Sequence, residues 1–314
     1  MAKTPNVLRD VPALRERVRG WHRAGETVAL VPTMGALHDG HLSLVRLARA
    51  EADRVVVSIF VNPKQFTPSE DFARYPRHEE SDLAKLASVG TDAVFAPTPS
   101  VMYPEGFATT VTVQGPAEGL ESASRPHFFA GVATVVTKLL LQAQADVAVF
   151  GEKDFQQLRV VERLVRDLDI PTRIVAAPTF RSPDGVALSS RNAYLSAEER
   201  ARAPKLYECL TDAAERIAAD APVSEVLAQA RLALETAGFR VDYVEARHAS
   251  TLASVSDRYD GPVRLLAAVW LGATRLIDNV PVPRPANMVE AARLEPSIHR
   301  EDAATVPRLQ QRCP

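Results

Sequence analysis

The chain has 314 residues, enough for two domains and a substantial hydrophobic core. Its 37 Lys and Arg residues nearly balance 39 Asp and Glu residues, which argues against binding of nucleic acid through bulk surface charge. The two cysteines, Cys209 and Cys313, lack metal or disulfide spacing, and no apolar run approaches the roughly 20 residues of a membrane span. With an N-terminus that lacks a signal-peptide core, these features predict a cytosolic protein with neither nucleic acid nor membrane as a partner.

Strand-like and helix-like stretches alternate in the first part of the chain. The predicted strands are 28–31, 55–61, 93–96, 109–113, 146–150 and 173–176, and the predicted helices are 11–24, from 42 onward, 79–89, 131–142 and 156–167. This alternation predicts an α/β fold with a largely parallel sheet. Such sheets bind ligands beyond the carboxyl ends of their strands, so the segments that follow the strands are candidate site segments.

The composition changes after the turn signal Pro183-Asp-Gly185. A capping box that starts at Ser196 predicts a helix over 196–219, and a second helix is predicted over 223–237. Strands are predicted at 240–246, 263–270 and 274–279. We therefore predict a catalytic domain at 1–184, a smaller α+β domain at 185–284 and a disordered tail at 285–314.

Two histidines flank a glycine after the first buried strand. In Val28 to Leu42, VALVPTMGALHDGHL, Gly35 and Gly40 allow tight turns, and His38 and His41 stand where the next helix begins. Helix N-termini bind anions, and imidazoles can stabilise charge that develops on a phosphate. The glycine spacing is that of a P-loop, but the Lys-Ser/Thr pair of that motif is absent. The stretch predicts a phosphate site, with a solvated helix start as the alternative.

Two later strand ends carry further polar side chains. Asn62 and Gln65, in FVNPKQF, suit hydrogen bonds to a small substrate, although an ordinary capped loop explains them equally well. In GEKDFQQ, Lys153 offers a charge for phosphate and Asp154 can bind a ribose hydroxyl or Mg²⁺. Gln157 lies one helical turn further and can face the same cleft. A solvated acidic helix start is the alternative for this second segment.

Arginines and hydroxyls supply two more candidate anion contacts. Ser189, Ser190 and Arg191 follow the turn at Gly185 and can form a flexible phosphate clamp. A helix N-cap would explain one of the serines but not the arginine. Arg125 is another candidate, although an exposed arginine is usually only a solvated charge.

Taken together, these stretches resemble the pantoate–β-alanine ligase (pantothenate synthetase) family of the HxGH nucleotidyltransferases. The matching stretches are PTMGALHDGH, SIFVNPKQF, SEDFARYPR, MYPEGF, GVATVVTKLL, FGEKDFQQLRVV, LSSRNAYLS and TRLIDN, in family order over about residues 7–282. The resemblance implies a Rossmann-like nucleotidyltransferase domain, a smaller C-terminal lid and a homodimer. It implies an enzyme that uses ATP and Mg²⁺ to convert pantoate to pantoyl adenylate and pyrophosphate. Transfer to β-alanine would then give pantothenate, a precursor of coenzyme A, and AMP.

The resemblance also implies a role for each candidate residue. The residues that would act in catalysis are His41, as proton donor, with His38, Lys153 and Arg191. The residues that would contact pantoate or β-alanine are Asn62, Gln65, Arg125 and Gln157. The residues that would contact ATP are Met34, Gly35, Ala36, Leu37, His38, Asp39, Gly40, His41, Gly151, Glu152, Lys153, Asp154, Phe180, Leu188, Ser189, Ser190 and Arg191. No protein ligand for the metal is implied.

The chain departs from the family pattern in three places. Leu188 replaces a methionine, and Phe180 replaces a valine at a backbone contact to adenine. The family's Arg-Pro-Gly-His-Phe reads Arg125-Pro-His-Phe-Phe129 here, which can retune pantoate binding. Two alternatives stay open: another HxGH nucleotidyltransferase, such as a cytidylyltransferase or phosphopantetheine adenylyltransferase, and a non-catalytic nucleotide-binding homologue.

Overall fold

The computed structural model describes residues 4–66, 72, 74–257 and 259–283. The strands β1 to β9 are Asn6–Leu8, Val28–Thr33, Arg54–Ile59, Ala93–Phe95, Val147–Gly151, Arg173–Ala177, Arg240–His248, Val263–Leu271 and Thr274–Pro281. The helices α1 to α10 are Val11–Arg23, Asp39–Glu51, Glu79–Ser88, Pro99–Met102, Glu121–Ser124, Phe128–Ala143, Phe155–Asp167, Ala197–Arg202, Pro204–Ala218 and Val223–Thr236. Short 3₁₀ helices lie at Pro63–Gln65, Glu152–Asp154 and Ser190–Tyr194. None of the helices in these ranges is long and apolar enough to cross a membrane.

Six strands form one parallel sheet in the order β1-β4-β3-β2-β5-β6. Its central strands are apolar almost throughout because helices cover both faces, α1, α6 and α7 on one side and α2 and α3 on the other. The chain runs from β2 to β3 on one side and later crosses to β5 on the other. The strand order therefore reverses between β2 and β5, the position at which such sheets bind ligands. The predicted Rossmann-like parallel-sheet fold is confirmed.

The smaller unit is an antiparallel sheet in the order β7-β8-β9, packed against α9 and α10. Its separate core contains Leu210 and Ile217 of α9, Leu234 of α10 and Leu265 and Val269 of β8. The predicted α+β character of this part is confirmed. The division of the chain between residues 184 and 185 stays a prediction.

Two predicted elements differ in the structure. Residues 109–113 form no strand, and the Val111 amide donates to the Thr134 hydroxyl of α6 (2.9 Å) instead of to a neighbouring strand. The helix predicted over 196–219 is two helices, because Pro204 begins a new helix after Ala203. The capping box at Ser196 is present. The tail predicted at 285–314 lies outside the described residues.

Helix α6 lies directly against the loop that follows β3, and Gly131 makes this approach possible. A Cβ atom at Gly131 would lie 2.2 Å from the carbonyl oxygen of Lys64 and 2.8 Å from the backbone nitrogen of Gln65. Both neighbours are backbone atoms, which cannot rotate away as a side chain would. The Gly131 carbonyl also accepts a hydrogen bond from the Asn62 side chain (3.1 Å). This glycine therefore sets the position of the segment that carries Gln65.

We expect Gly131→Ala to lower the free energy of unfolding by about 1–3 kcal/mol, because the added methyl group overpacks a backbone contact. Urea denaturation measures this change. The matched control is Gly20→Ala in α1, where an added Cβ meets no atom within 4 Å. That control should be neutral or stabilising by up to about 1 kcal/mol. A Gly131→Ala protein as stable as the unmodified protein would contradict the packing argument.

Candidate active site

A cavity of about 950 Å³ lies at the carboxyl ends of the central strands, with walls from both sheets. The candidate residues that line it are Met34, His38, Gly40, His41, Asn62, Gln65, Arg125, Gly151, Lys153, Asp154, Gln157, Phe180, Leu188, Ser189, Ser190 and Arg191. The candidates outside its lining are Gly35, Ala36, Leu37, Asp39 and Glu152. Five segments that are far apart in the sequence, at 34–41, 62–65, 125, 151–157 and 180–191, thus meet at one cavity.

The turn before the histidines depends on a carboxylate from α3. Gly35 and Ala36 have positive φ angles of 82° and 50°, and the second is unusual for a residue with a side chain. Asp82, 1% exposed, accepts hydrogen bonds from the amides of Ala36 (2.9 Å) and Leu37 (2.8 Å). Lys85 donates to the Leu37 carbonyl (2.7 Å). These contacts over-determine the strained turn and so fix where α2 begins.

The two imidazoles lie together at the first turn of α2. Their ring centres are 4.1 Å apart. The backbone amide of His38 donates to Nδ1 of His41 (3.3 Å). A nitrogen that accepts a hydrogen bond carries no proton, so the neutral His41 ring has its proton on Nε2. His41 is thereby prepared as a neutral hydrogen-bond donor.

Both imidazoles are held in the neutral state. Burial, helped by the charge of Lys153, lowers the pKa of His38 from 6.5 to about 4. Burial, helped by His38 and Lys153, lowers the pKa of His41 from 6.5 to about 3. Nδ1 of His38 is buried and has no hydrogen-bond partner in the part of the chain that the structure describes. The site therefore has a buried ring nitrogen that can still form a hydrogen bond, close to the positive charge of Lys153. This combination suits an anionic ligand.

The predicted phosphate clamp contacts the histidine turn. The Ser190 hydroxyl donates to the Ala36 carbonyl (3.2 Å), and a Cβ at Gly40 would lie 3.5 Å from Cβ of Leu188. The Ser189 hydroxyl accepts from the Arg191 amide (3.3 Å). The structure thus brings residues 188–191 to the start of α2, about 150 residues earlier in the chain.

Two other candidates lie on the same cavity wall. The side chain of Lys153 is 21% exposed, and its ammonium group is 3.5 Å from the Asp154 carboxylate. Phe180 has a partly exposed ring (42%), and its carbonyl accepts from the Leu188 amide (3.0 Å). The Phe180 carbonyl therefore closes a turn of the protein, and its predicted adenine contact stays a prediction.

The loop after β3 presents Gln65 and uses Asn62 as its support. The Asn62 oxygen accepts from the Tyr103 hydroxyl (2.7 Å) and the Lys64 amide (3.3 Å). Its nitrogen donates to the Gln65 side-chain oxygen (3.0 Å) and the Gly131 carbonyl (3.1 Å). All four hydrogen-bonding positions of this amide are occupied within the protein. Asn62 therefore orients Gln65, and its predicted contact with substrate stays a prediction.

Arg125 is held in place on several sides. Its Nη2 donates to the Gln65 carbonyl (3.1 Å), and its Nη1 lies 3.6 Å from the Glu121 carboxylate. The guanidinium carbon is 3.8 Å from the centre of the Phe128 ring, a cation–π contact. Glu121 in turn accepts from Arg275 (2.7 Å) of β9. A fixed guanidinium on a cavity wall can bind a carboxylate without first being ordered.

The sequence reasoning missed several side chains that shape this cavity. Asp82 and Lys85 lie in a segment that was predicted only as a helix, and Glu121 lies in a segment for which no element was predicted, yet all three act on residues of the site. Asp82 carried one usable signal, because it lies four residues before Leu86 and therefore on the apolar face of the predicted helix. Its partners Ala36 and Leu37, 46 and 45 positions earlier in the chain, were not readable from that signal.

No group of three or more His, Cys, Asp or Glu side chains within the described ranges could hold a metal ion. Asp154 lines the cavity with a carboxylate that is 47% exposed. Mg²⁺ usually binds to one or two carboxylates together with phosphates of a substrate. The residues present thus fit a Mg²⁺ ion that arrives with a nucleotide, and they do not form a protein-only metal site.

Comparison with known proteins gives concordant results. The family model described as Pantoate-beta-alanine ligase matches residues 6–281. The pantothenate synthetase of Caulobacter vibrioides is 57% identical over 285 residues, covering 89% of this chain and 99% of its own. The crystal structure of pantothenate synthetase from Thermus thermophilus has a TM-score of 0.83 and 48% identity, covering 89% of this chain and 100% of its own. A Francisella tularensis pantoate-beta-alanine ligase structure, described as complexed with beta-gamma ATP and beta-alanine, has a TM-score of 0.74 and 33% identity. The match covers 88% of this chain and 97% of the Francisella chain.

We expect the ligand-free protein to lose stability as the pH falls from about 6.5 towards 3. The folded-state pKa values of His38 and His41 lie below the ordinary value, so the unfolded chain binds more protons in this range. The loss is at most about 1.4 kcal/mol per pH unit for each histidine. His41→Gln removes one of the two contributions. The free energy of unfolding, measured by urea denaturation at pH 7, 6 and 5, should therefore have a shallower slope against pH in this variant. An unchanged slope would contradict the neutral state assigned to His41.

Proposed function

Because the chain belongs to the pantoate–β-alanine ligase family, we propose that it condenses pantoate with β-alanine at the expense of ATP, through a pantoyl adenylate. The observation that carries the proposal is the meeting of candidate phosphate and acid contacts at one cavity. His41, Lys153 and Arg191 supply the first set, and Gln65 and Gln157 supply the second. Pantothenate, the product, would serve the biosynthesis of coenzyme A.

In the first step, a carboxylate oxygen of pantoate attacks the α-phosphorus of ATP. The new phosphorus–oxygen bond forms as the bond to pyrophosphate breaks, so a poor acyl donor becomes a mixed anhydride with AMP as a good leaving group. Negative charge grows on the departing pyrophosphate. The protein's contribution is to align the reactants and to stabilise this charge with donors already in place. Lys153 and Arg191 provide fixed positive charge, and Gln65 and Gln157 orient the acid.

His41 would act in this step as a neutral donor. Its Nδ1 already accepts the amide hydrogen of His38, which leaves the proton on Nε2 for a phosphate oxygen. A pKa of about 3 means that a charged imidazolium is scarce in the free enzyme at neutral pH. The proton donor of the family resemblance is therefore best understood as a hydrogen-bond donor whose charge state does not have to change.

In the second step, the uncharged amine of β-alanine attacks the acyl carbon of the adenylate. A carbon–nitrogen bond forms, the bond to AMP breaks, and the amine loses one proton. The acceptor also carries a carboxylate, for which Arg125 offers a guanidinium that is already oriented by Phe128 and Glu121. Its bond to the Gln65 carbonyl joins this contact to the loop that holds the acid.

Mg²⁺ would be held by the phosphates of ATP and the Asp154 carboxylate. When bound, the ion would neutralise phosphate charge. The homodimer that the resemblance implies and the cytosolic location predicted from composition and the N-terminal residues are part of the same proposal.

We expect the purified protein to release pyrophosphate when ATP, Mg²⁺ and pantoate are supplied, and to release AMP only after β-alanine is added. The reason is that the amine acceptor enters only after the adenylate has formed. A coupled pyrophosphate assay and chromatography of AMP measure the two steps separately. AMP release that does not depend on β-alanine would contradict the proposal.

The same experiment separates the two alternatives. Another nucleotidyltransferase would release pyrophosphate with a different acceptor and would show no dependence on β-alanine. A non-catalytic homologue would bind ATP but release no pyrophosphate when pantoate is added.

We expect His41→Ala to lower the rate of pyrophosphate release by about 10²–10³-fold, because one preorganised donor to the developing charge is lost. The control is His22→Ala, which removes an exposed imidazole of α1 that lies outside the cavity lining. That control should retain turnover within about twofold. Retained turnover in His41→Ala would remove the role assigned to this residue.

A further inference from the structure

Two adjacent residues of β9 reach two separate segments of the cavity wall. Asp278 and Asn279 are buried, with 4% and 3% of their surface exposed. Successive side chains of a strand point to opposite faces, so the two residues contact different neighbours. Both neighbours belong to segments that carry candidate nucleotide contacts.

Asn279 holds the 3₁₀ helix that carries Lys153. Its side-chain nitrogen donates to the carbonyl oxygens of Glu152 (2.9 Å) and Lys153 (3.0 Å). Its side-chain oxygen accepts from Nε of Arg264 (2.6 Å). Only the nitrogen can face two carbonyl groups, so the orientation of this amide is determined. Both amide hydrogens are used within the protein, which leaves none to donate to a ligand.

Arg264 strengthens this contact from the neighbouring strand. Its Nη2 is 3.1 Å from the Glu152 carboxylate, and its guanidinium lies 4.3 Å from the centre of the Phe155 ring. Phe155 begins α7, which follows the 3₁₀ helix directly. The start of α7 and the segment with Lys153 are therefore fixed to the second sheet by side-chain contacts.

Asp278 holds the hairpin on the other side of the nucleotide contacts. Its two oxygens accept from Nη1 (2.6 Å) and Nη2 (2.8 Å) of Arg181. The Arg181 guanidinium also lies 3.8 Å from the centre of the Tyr207 ring of α9. Arg181 pairs with Ala187 in a short antiparallel bridge. Phe180 and the clamp at 188–191 flank this bridge.

We propose that Asp278 and Asn279 are positioning residues of the nucleotide site. Asn279 fixes the backbone from which Lys153 extends, and Asp278 fixes the hairpin from which Arg191 extends. The second sheet thus supports ATP binding by holding these two segments in place, in addition to any covering of the cavity. This inference rests on the ATP site of the proposed function.

The first test is Asn279→Asp, measured as the dissociation constant for ATP by calorimetry on the full-length protein. The substitution keeps the shape and the acceptor for Arg264, but it turns two donated hydrogen bonds into contacts between oxygens. We expect ATP binding to weaken by about tenfold or more. If this variant does not fold, Asn279→Ala removes the same donors without adding charge and decides the same question.

The matched control is Val269→Ala, which removes core volume from β8 and leaves both contacts in place. It should lower the melting temperature and leave the ATP dissociation constant within about twofold. A weakening in the control equal to that in Asn279→Asp would show general destabilisation and overturn the proposal. Unchanged ATP binding in Asn279→Asp would also overturn it.

The contact made by Asp278 is tested with Arg181→Lys. Lysine keeps the charge but loses the bidentate pair and the stacking on Tyr207, so ATP binding should weaken by about fivefold. Unchanged binding would overturn the role of Asp278. Absence of ATP binding by the unmodified protein would instead count against the proposed function, so the two failures are distinguishable.

Discussion

The site depends on one buried carboxylate, Asp82, which holds the turn between β2 and α2. A turn with consecutive positive φ angles at Gly35 and Ala36 is strained, and it persists only where its amides have partners. Asp82 provides those partners from a helix on the other side of the turn. Once the turn is fixed, the start of α2 is fixed as well, and both imidazoles face the switch point of the sheet.

The electrostatic character of the cavity follows from this placement. Burial keeps His38 and His41 neutral, so the positive charge of the wall comes from arginine and lysine side chains. Glu121 balances part of that charge because it contacts Arg275 as well as Arg125. The result is a wall with fixed donors and moderate positive charge. Such a wall favours phosphate and carboxylate groups without requiring a proton to be taken up first.

Features that local sequence patterns encode were predictable, whereas features that depend on contacts between distant residues were not. The strands, the glycine turn and the histidines lie in continuous stretches, so the parallel sheet and its ligand-binding edge were predictable. The alternation at 109–113 predicted a strand, but a strand also needs a neighbour, and here Thr134 takes the amide of Val111. Pro204 marked a helix boundary in the sequence, but the helix predicted from the capping box at Ser196 was extended through it. The partners of Asp82 and Asn279 are separated from them by tens to more than a hundred residues, and no local pattern encodes such pairs.

These distant contacts also constrain how the second sheet can move. The Arg181–Asp278 pair is largely buried, with 17% and 2% of the side chains exposed, and leaving one charge of such a pair buried without its partner costs about 3–5 kcal/mol. Any closing motion of the second sheet therefore carries the hairpin and the clamp at 188–191 with it. The bonds of Asn279 to the carbonyls of Glu152 and Lys153 resist the same motion at the first sheet. The hairpin before the clamp and the segment with Lys153 are thus both bound to the same strand, β9, which couples the positions of the two segments.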